Sequence, residues 1–179
     1  MIPPDFDFRW TLDDGTDVTI RPIRPDDSVI EQEFVRSLSL RSSSLRFFTP
    51  IRELSPAALE KFTHTNYPKE MALIATIGSD GSEREIGVAR YAPTDEEGRV
   101  EFAVVVADDW QGKGIATQLL RHLFGIASDA GINSIEGSVL RENERMLKLA
   151  KDFGFKTRID VNDPHVIYVY KDIQHDHVS

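Results

Sequence analysis

The 179-residue chain is 40% hydrophobic and 28% charged, has no cysteine, and sets 21 Lys and Arg against 30 Asp and Glu for a formal net charge of −9. At this length one domain can bury enough apolar surface to fold unaided, and without thiols there are no disulfide scaffolds, thiolate zinc sites or cysteine nucleophiles. A pI near 5.0 argues against a general nucleic-acid binder, which needs a basic face to displace phosphate counterions.

Residues 1–7 carry neither a positive nor an apolar signal region, and no window approaches the roughly 18 to 20 apolar residues of a membrane span, so a cytoplasmic location is expected. Residues 8–12 and 17–24, separated by Asp13-Asp14-Gly15, predict a hairpin. Pro25-Asp26-Asp27 opens a helix to about Leu40, with Ile30, Phe34 and Leu38 on one face. Residues 41–50 hold a second short helix and loop, and Ser55-Pro56 starts a third helix through about Phe62. The period then changes: 71–77, 85–91 and 99–107 are apolar, β-branched runs separated by turn residues, an antiparallel meander.

A long helix over 114–130 carries Ile115, Leu119, Leu123 and Ile126 along one stripe and ends at Gly131. A strand over 134–140, a helix over 143–153 and a hairpin formed by 155–161 and 166–170 complete the pattern. No repeat or low-complexity linker interrupts it, so residues 1–179 are expected to form one domain with flexible ends at 1–7 and 174–179. His175 and His177 flank Asp176 in the latter and are read as part of a frayed end, not as metal ligands. The expected fold class is α+β, a mixed, mostly antiparallel sheet of about seven strands with helices on both faces.

Residues 101–116 are the most informative: a buried strand runs into a glycine-rich turn that opens the long helix. The first amides of a helix lack intrahelical acceptors and carry the positive end of the macrodipole, which suits a phosphate or pyrophosphate. Gly112 and Gly114 permit close backbone approach, and Ala116 is small. A Walker P-loop does not fit, because it needs a glycine where Ala107 or Asp108 stands, and Gly114 stands where Ser or Thr is required. A dinucleotide fold fails for want of three spaced glycines in an initial βαβ unit.

Gln111-Gly112-Lys113-Gly114-Ile115-Ala116 resembles the Q/R-x-x-G-x-G/A acetyl-CoA motif of the GNAT N-acetyltransferase superfamily. Segments 44–48, 101–106, 140–147 and 153–155 look most like the catalytic domain of bacterial Pat-type protein lysine acetyltransferases. That resemblance implies acetyl-CoA as cosubstrate with no metal, its pyrophosphate on Gln111, Gly112, Lys113, Gly114, Ile115 and Ala116, and its pantetheine arm against Val104, Val105 and Val106, where the neighbouring strands splay apart. It also implies a pantetheine contact for Asn143, which doubles as a helix N-cap. Glu101 takes the place of the general base: a lysine ammonium of pKa near 10.4 is only about one part in a few thousand neutral at pH 7, so a base must collect its proton.

One departure stands out. Ala150 occupies the position of the tyrosine that protonates the departing thiolate in many GNAT enzymes, which leaves water, the shuttled proton or Ser138 for that step. The implied acceptor is a protein lysine, with an AMP-forming acyl-CoA synthetase as candidate. Small-molecule amine acetylation and a non-catalytic acyl-CoA sensor are the alternatives. His64, His122 and His165 are isolated, and no nucleophile elbow is present.

Overall fold

The computed structural model describes residues 5–79 and 81–173; residues 1–4, 80 and 174–179, among them His175 and His177, lie outside the described set. The first hairpin is β1 (Phe8–Thr11) and β2 (Asp17–Pro22), turned at Gly15 with φ +87°. A 3-10 turn at Pro25–Asp27 leads into α1 (Ser28–Ser37), followed by α2 (Leu40–Phe47) and α3 (Pro56–Thr63). The helix expected to reach Leu40 stops earlier because Leu38 is extended (ψ 138°) and Ser39 starts a new helix, its side chain accepting the Ser42 amide. The meander is β3 (Met71–Ile77), β4 (Arg84–Pro93) and β5 (Arg99–Val106). Then come α4 (Ile115–Asp129), β6 (Ser134–Leu140), α5 (Glu144–Asp152), β7 (Lys156–Ile159) and β8 (Val166–Asp172).

The strands form one sheet in the order β1-β2-β3-β4-β5-β6-β8-β7, eight among the described residues against about seven expected. Neighbours are antiparallel except β5 and β6, whose parallel pairing needs the crossover that α4 supplies. Both faces are covered. On one, α4 buries Ile115, Leu119, Leu123 and Ile126 with β-strand residues Leu73, Phe102 and Val139, and α5 adds Met146, Leu149 and Ala150. On the other, Phe34 and Val35 of α1 and Leu38 just after it pack with Ile74, Val88 and Ala107. No helix of the described residues is long and apolar enough to cross a membrane. Within the stretch expected as a flexible N-terminal end, Phe6 packs its ring 5.0 Å from that of His122 on α4.

Charges are also buried between α1 and the sheet. The Arg21 guanidinium donates to both oxygens of Asp27 at 2.8 and 2.7 Å and to Glu83 at 2.6 Å. Arg90 lies 3.6 Å from Glu31 and 4.3 Å over the Phe62 ring. Glu85 is buried on β4; desolvation, reinforced by Glu31, pushes its carboxyl well above the usual range.

Candidate active site

Beyond β5 the chain makes a 3-10 turn at Asp108–Trp110 and crosses Gln111 to Gly114 into α4. Gly112 and Gly114 adopt φ of +78° and +84°, a region costly for any residue with a Cβ, and a Cβ built on either meets no atom within 4 Å. The turn therefore shows bare backbone to open space. The first intrahelical bond runs from the Gln118 amide to the Gly114 carbonyl at 3.1 Å, which leaves the amides of Ile115, Ala116 and Thr117 at the positive end of the helix dipole.

Gln111 is engaged differently from the others. Its own amide donates to the Asp108 carbonyl at 3.3 Å, and its side-chain amide donates to the Val106 carbonyl at 3.0 Å and to Ser42 Oγ at 3.2 Å. The Arg145 guanidinium donates to its Oε1 at 3.2 Å. Gln111 thus ties α2, β5 and α5 together beneath the glycine turn. Lys113 leans outward, its Nζ 3.7 Å from the Asp14 carboxylate of the first hairpin and 5.9 Å from the centroid of a Trp110 ring.

The pairing of β5 with β6 runs from Arg99↔Ser134 to Glu101↔Glu136 and ends there, although β6 continues to Leu140 against β8. From that point the two strands part. The opening is a cleft of about 340 Å³ walled by Val104, Val105 and Val106, the start of α4, Asn143, Met146 and Leu149 on the α5 side, and Leu45 and Arg46 of α2. Asn143 lines this cleft and also caps α5, its Oδ1 accepting the Met146 amide at 3.2 Å. Ala150 is buried in the core at 1% exposure, so nothing polar reaches the cleft from there. Ser138 is exposed on β6, two residues beyond Glu136.

Glu101 stands at the last paired position, exposed on the face opposite Phe102. Desolvation raises its carboxyl above the ordinary range, Glu136 across the strand pair adds to the rise, and Arg46 opposes it. Four residues that sequence reasoning assigned no part shape the site. Arg46 stacks 4.6 Å over Phe47 and lines the cleft, and burial followed by repulsion from Arg90 pushes its pKa down to about 10. Asp108 fastens α2 to the turn, accepting the Ser39 amide at 3.0 Å, Ser39 Oγ at 2.7 Å and Ser42 Oγ at 3.0 Å. Desolvation would raise the Asp108 carboxyl, but these bonds outweigh it and hold it below the usual range. Ser42 and Arg145 complete the set through Gln111. The Ser39 side chain's capping of the Ser42 amide is the one local signal for this anchoring.

The model of the acetyltransferase (GNAT) domain matches residues 17–156, and the matched stretch includes β5, the glycine turn and α4. The chain belongs to the GNAT acetyltransferase family. It is therefore an acyltransferase enzyme, and domains of this family use acetyl-CoA as cosubstrate. Acetyltransferase PA5475 of Pseudomonas aeruginosa is 39% identical over 153 residues, covering 86% of this chain and 82% of that protein. Acetyltransferase Pat of Mycolicibacterium smegmatis is 28% identical over 137 residues, 75% of this chain but only 40% of that protein, so the GNAT chain matches less than half of Pat. The crystal structure of the GNAT domain of S. lividans PAT superposes with a TM-score of 0.85 at 29% identity, covering 97% of this chain and all of that one.

Proposed function

We propose that this GNAT enzyme works in the cytoplasm and transfers the acetyl group of acetyl-CoA directly to the ε-amine of a protein lysine, with Glu101 as general base. The observation that carries the reading is the parting of the strands: the pairing of β5 with β6 ends at Glu101, so the strand's one carboxylate stands where the cleft opens. The bare amides of the turn from Gly112 to Ala116 suit the cosubstrate's pyrophosphate, and the free edge over Val104 to Val106 suits the amides of the pantetheine arm. Gln111 serves by holding that turn in place, Asn143 by facing the cleft, and Lys113 by lending positive charge from the rim.

The thioester supplies the acetyl group. The amine nitrogen forms a bond to its carbonyl carbon, the carbon–sulfur bond breaks with its electron pair leaving on sulfur, and the second proton that the nitrogen sheds on becoming an amide passes to the thiolate or to water. The chain's part is to align the two reactants and to take the ammonium proton on Glu101, whose raised pKa brings it nearer to the working pH. A thiolate leaves readily near neutral pH, so the lack of an acid at Ala150 is tolerable. Resemblance to Pat-type protein lysine acetyltransferases supports a protein acceptor, and the net charge of −9 favours a cationic one.

The test is incubation with acetyl-CoA and candidate proteins, an AMP-forming acyl-CoA synthetase among them, following CoA release and acetyl-lysine by mass spectrometry. Robust turnover of polyamines with none of proteins would refute the acceptor. Glu101→Gln should lower kcat at pH 7 by about 10²- to 10⁴-fold while acetyl-CoA affinity stays within about twofold. Undiminished activity in that variant removes Glu101 from the mechanism.

A further inference from the structure

Glu101 has a carboxylate neighbour that the proposed chemistry does not use. In the parallel pairing of β5 and β6, Glu136 is the residue directly opposite Glu101, and facing residues in a sheet project from the same side. Two like charges side by side at the last paired position before the strands part are unfavourable unless something fixes one of them. Tyr168 does so: it lies on β8, the other neighbour of β6, and its hydroxyl donates a hydrogen bond to Glu136 Oε2. Tyr168 is itself held from both flanks, stacked on Tyr170 at 5.3 Å and covered by the Arg158 guanidinium at 4.5 Å.

Starting from the reading of Glu101 as the base, we propose that Glu136, pinned by the Tyr168 hydroxyl, is a positioning residue that sets the pH range over which Glu101 accepts a proton. The fixed negative charge opposes ionisation of Glu101 and holds its proton affinity closer to that needed to receive a proton from the incoming ammonium. Tyr168 holds the Glu136 carboxylate in place by donating to its Oε2. Desolvation, together with the bond to Glu136, pushes the phenol up to about 12, so it remains a donor throughout the working range.

Arg90 of β4, two residues before the Ala92 that pairs with Glu101, lies 3.6 Å from Glu31. Arg46 of α2 faces Glu101 and pulls its pKa down, against Glu136. On β4, the residue paired with Glu101 is Ala92, which carries no charge. Arg99, two residues before Glu101, is occupied by Ser134 Oγ at 3.1 Å and Glu96 at 2.7 Å, and with Arg158 acts on Tyr168. Among the described residues, Glu136 is thus the one group that raises the Glu101 pKa by its charge.

The test is the pH profile of kcat/KM in the full chain for the parent, Glu136→Gln, Glu136→Asp and Tyr168→Phe. Removing the charge lowers the Glu101 pKa, so the acid limb of Glu136→Gln should move to lower pH by about 0.5 to 1 unit, the size of one like-charge neighbour in a half-exposed site. The plateau kcat at high pH should stay within about threefold. Glu136→Asp keeps the charge and should leave the limb near the parent's. Tyr168→Phe frees the Glu136 carboxylate to turn away from Glu101 and should move the limb the same way by a smaller amount. An acid limb that stays in place in Glu136→Gln, or a lower plateau without a shift, overturns the inference. Glu101→Gln separates the two levels: if it abolishes turnover while Glu136→Gln leaves the profile unmoved, only the role of Glu136 falls, whereas full activity in Glu101→Gln removes the base reading itself.

Discussion

Replacing Gly114 by alanine separates what the glycine turn does for the ligand from what it does for the fold. At φ +84° an alanine costs about 1 to 2 kcal/mol of backbone strain, and no steric term is added because no atom lies within 4 Å of the new Cβ. For a chain of this size that is a fall in Tm of roughly 2 to 8 °C. The methyl group enters the cleft that Gly114 lines, in the space through which an anion reaches the turn. Losing one charge-assisted hydrogen bond is worth about 1.5 to 3 kcal/mol, so the Kd for CoA should rise by about 10- to 150-fold. Gly131→Ala is the control: it has φ +80° and the same open surroundings, but stands at the opposite end of α4. Titration calorimetry with CoA and thermal melting of both variants supply the readout. Equal losses of stability with unchanged CoA affinity in Gly114→Ala would refute the turn as the ligand's seat, and a loss of several kcal/mol would refute the strain argument.

Asp108→Ala removes the acceptor for Ser39 and Ser42 and should cost about 1 to 2 kcal/mol, with the KM for acetyl-CoA raised severalfold and kcat near the parent's as α2 loosens over the cleft; steady-state kinetics and melting check it. Glu85→Gln acts on pH dependence. The buried Glu85 keeps its proton in the folded state where the unfolded chain, titrating near 4.5, has released it, so the folded state binds more protons and stability falls as pH rises above that value. The glutamine variant should lose this slope, and Tm measured from pH 5 to 8 should be flatter; an unchanged slope assigns it to other groups.

Much of this was legible in the sequence because the relevant signals are local. The apolar runs over Met71–Ile77 and Ser134–Leu140 are strands with those bounds, and the four-residue stripe of α4 is buried throughout. What escaped depends on partners far along the chain. Lys113 reads as a phosphate ligand from its motif, yet the direction of its long side chain is set by Asp14 in the first hairpin. Spacing cannot show that the Gln111 amide is spent on Asp108 while its side chain braces three elements. The run over 85–91 reads as apolar and β-branched, yet Glu85 and Arg90 within it meet Glu31, on another element, in a buried polar cluster. Opposition of Glu101 and Glu136 follows from strand register across a helical crossover, which no local pattern encodes.

The parting of β5 from β6 also places a free strand edge in the middle of the sheet instead of at its rim. Such edges invite pairing with foreign chains when they lie at the periphery, but here α2 and α5 flank the approach, so the edge is screened from another protein and open to a slender extended molecule. Backbone amides of β5 beyond Glu101 that face β6 should accordingly exchange with deuterium faster than those facing β4. That difference should narrow when CoA is added, giving a residue-by-residue record of ligand entry that needs no turnover.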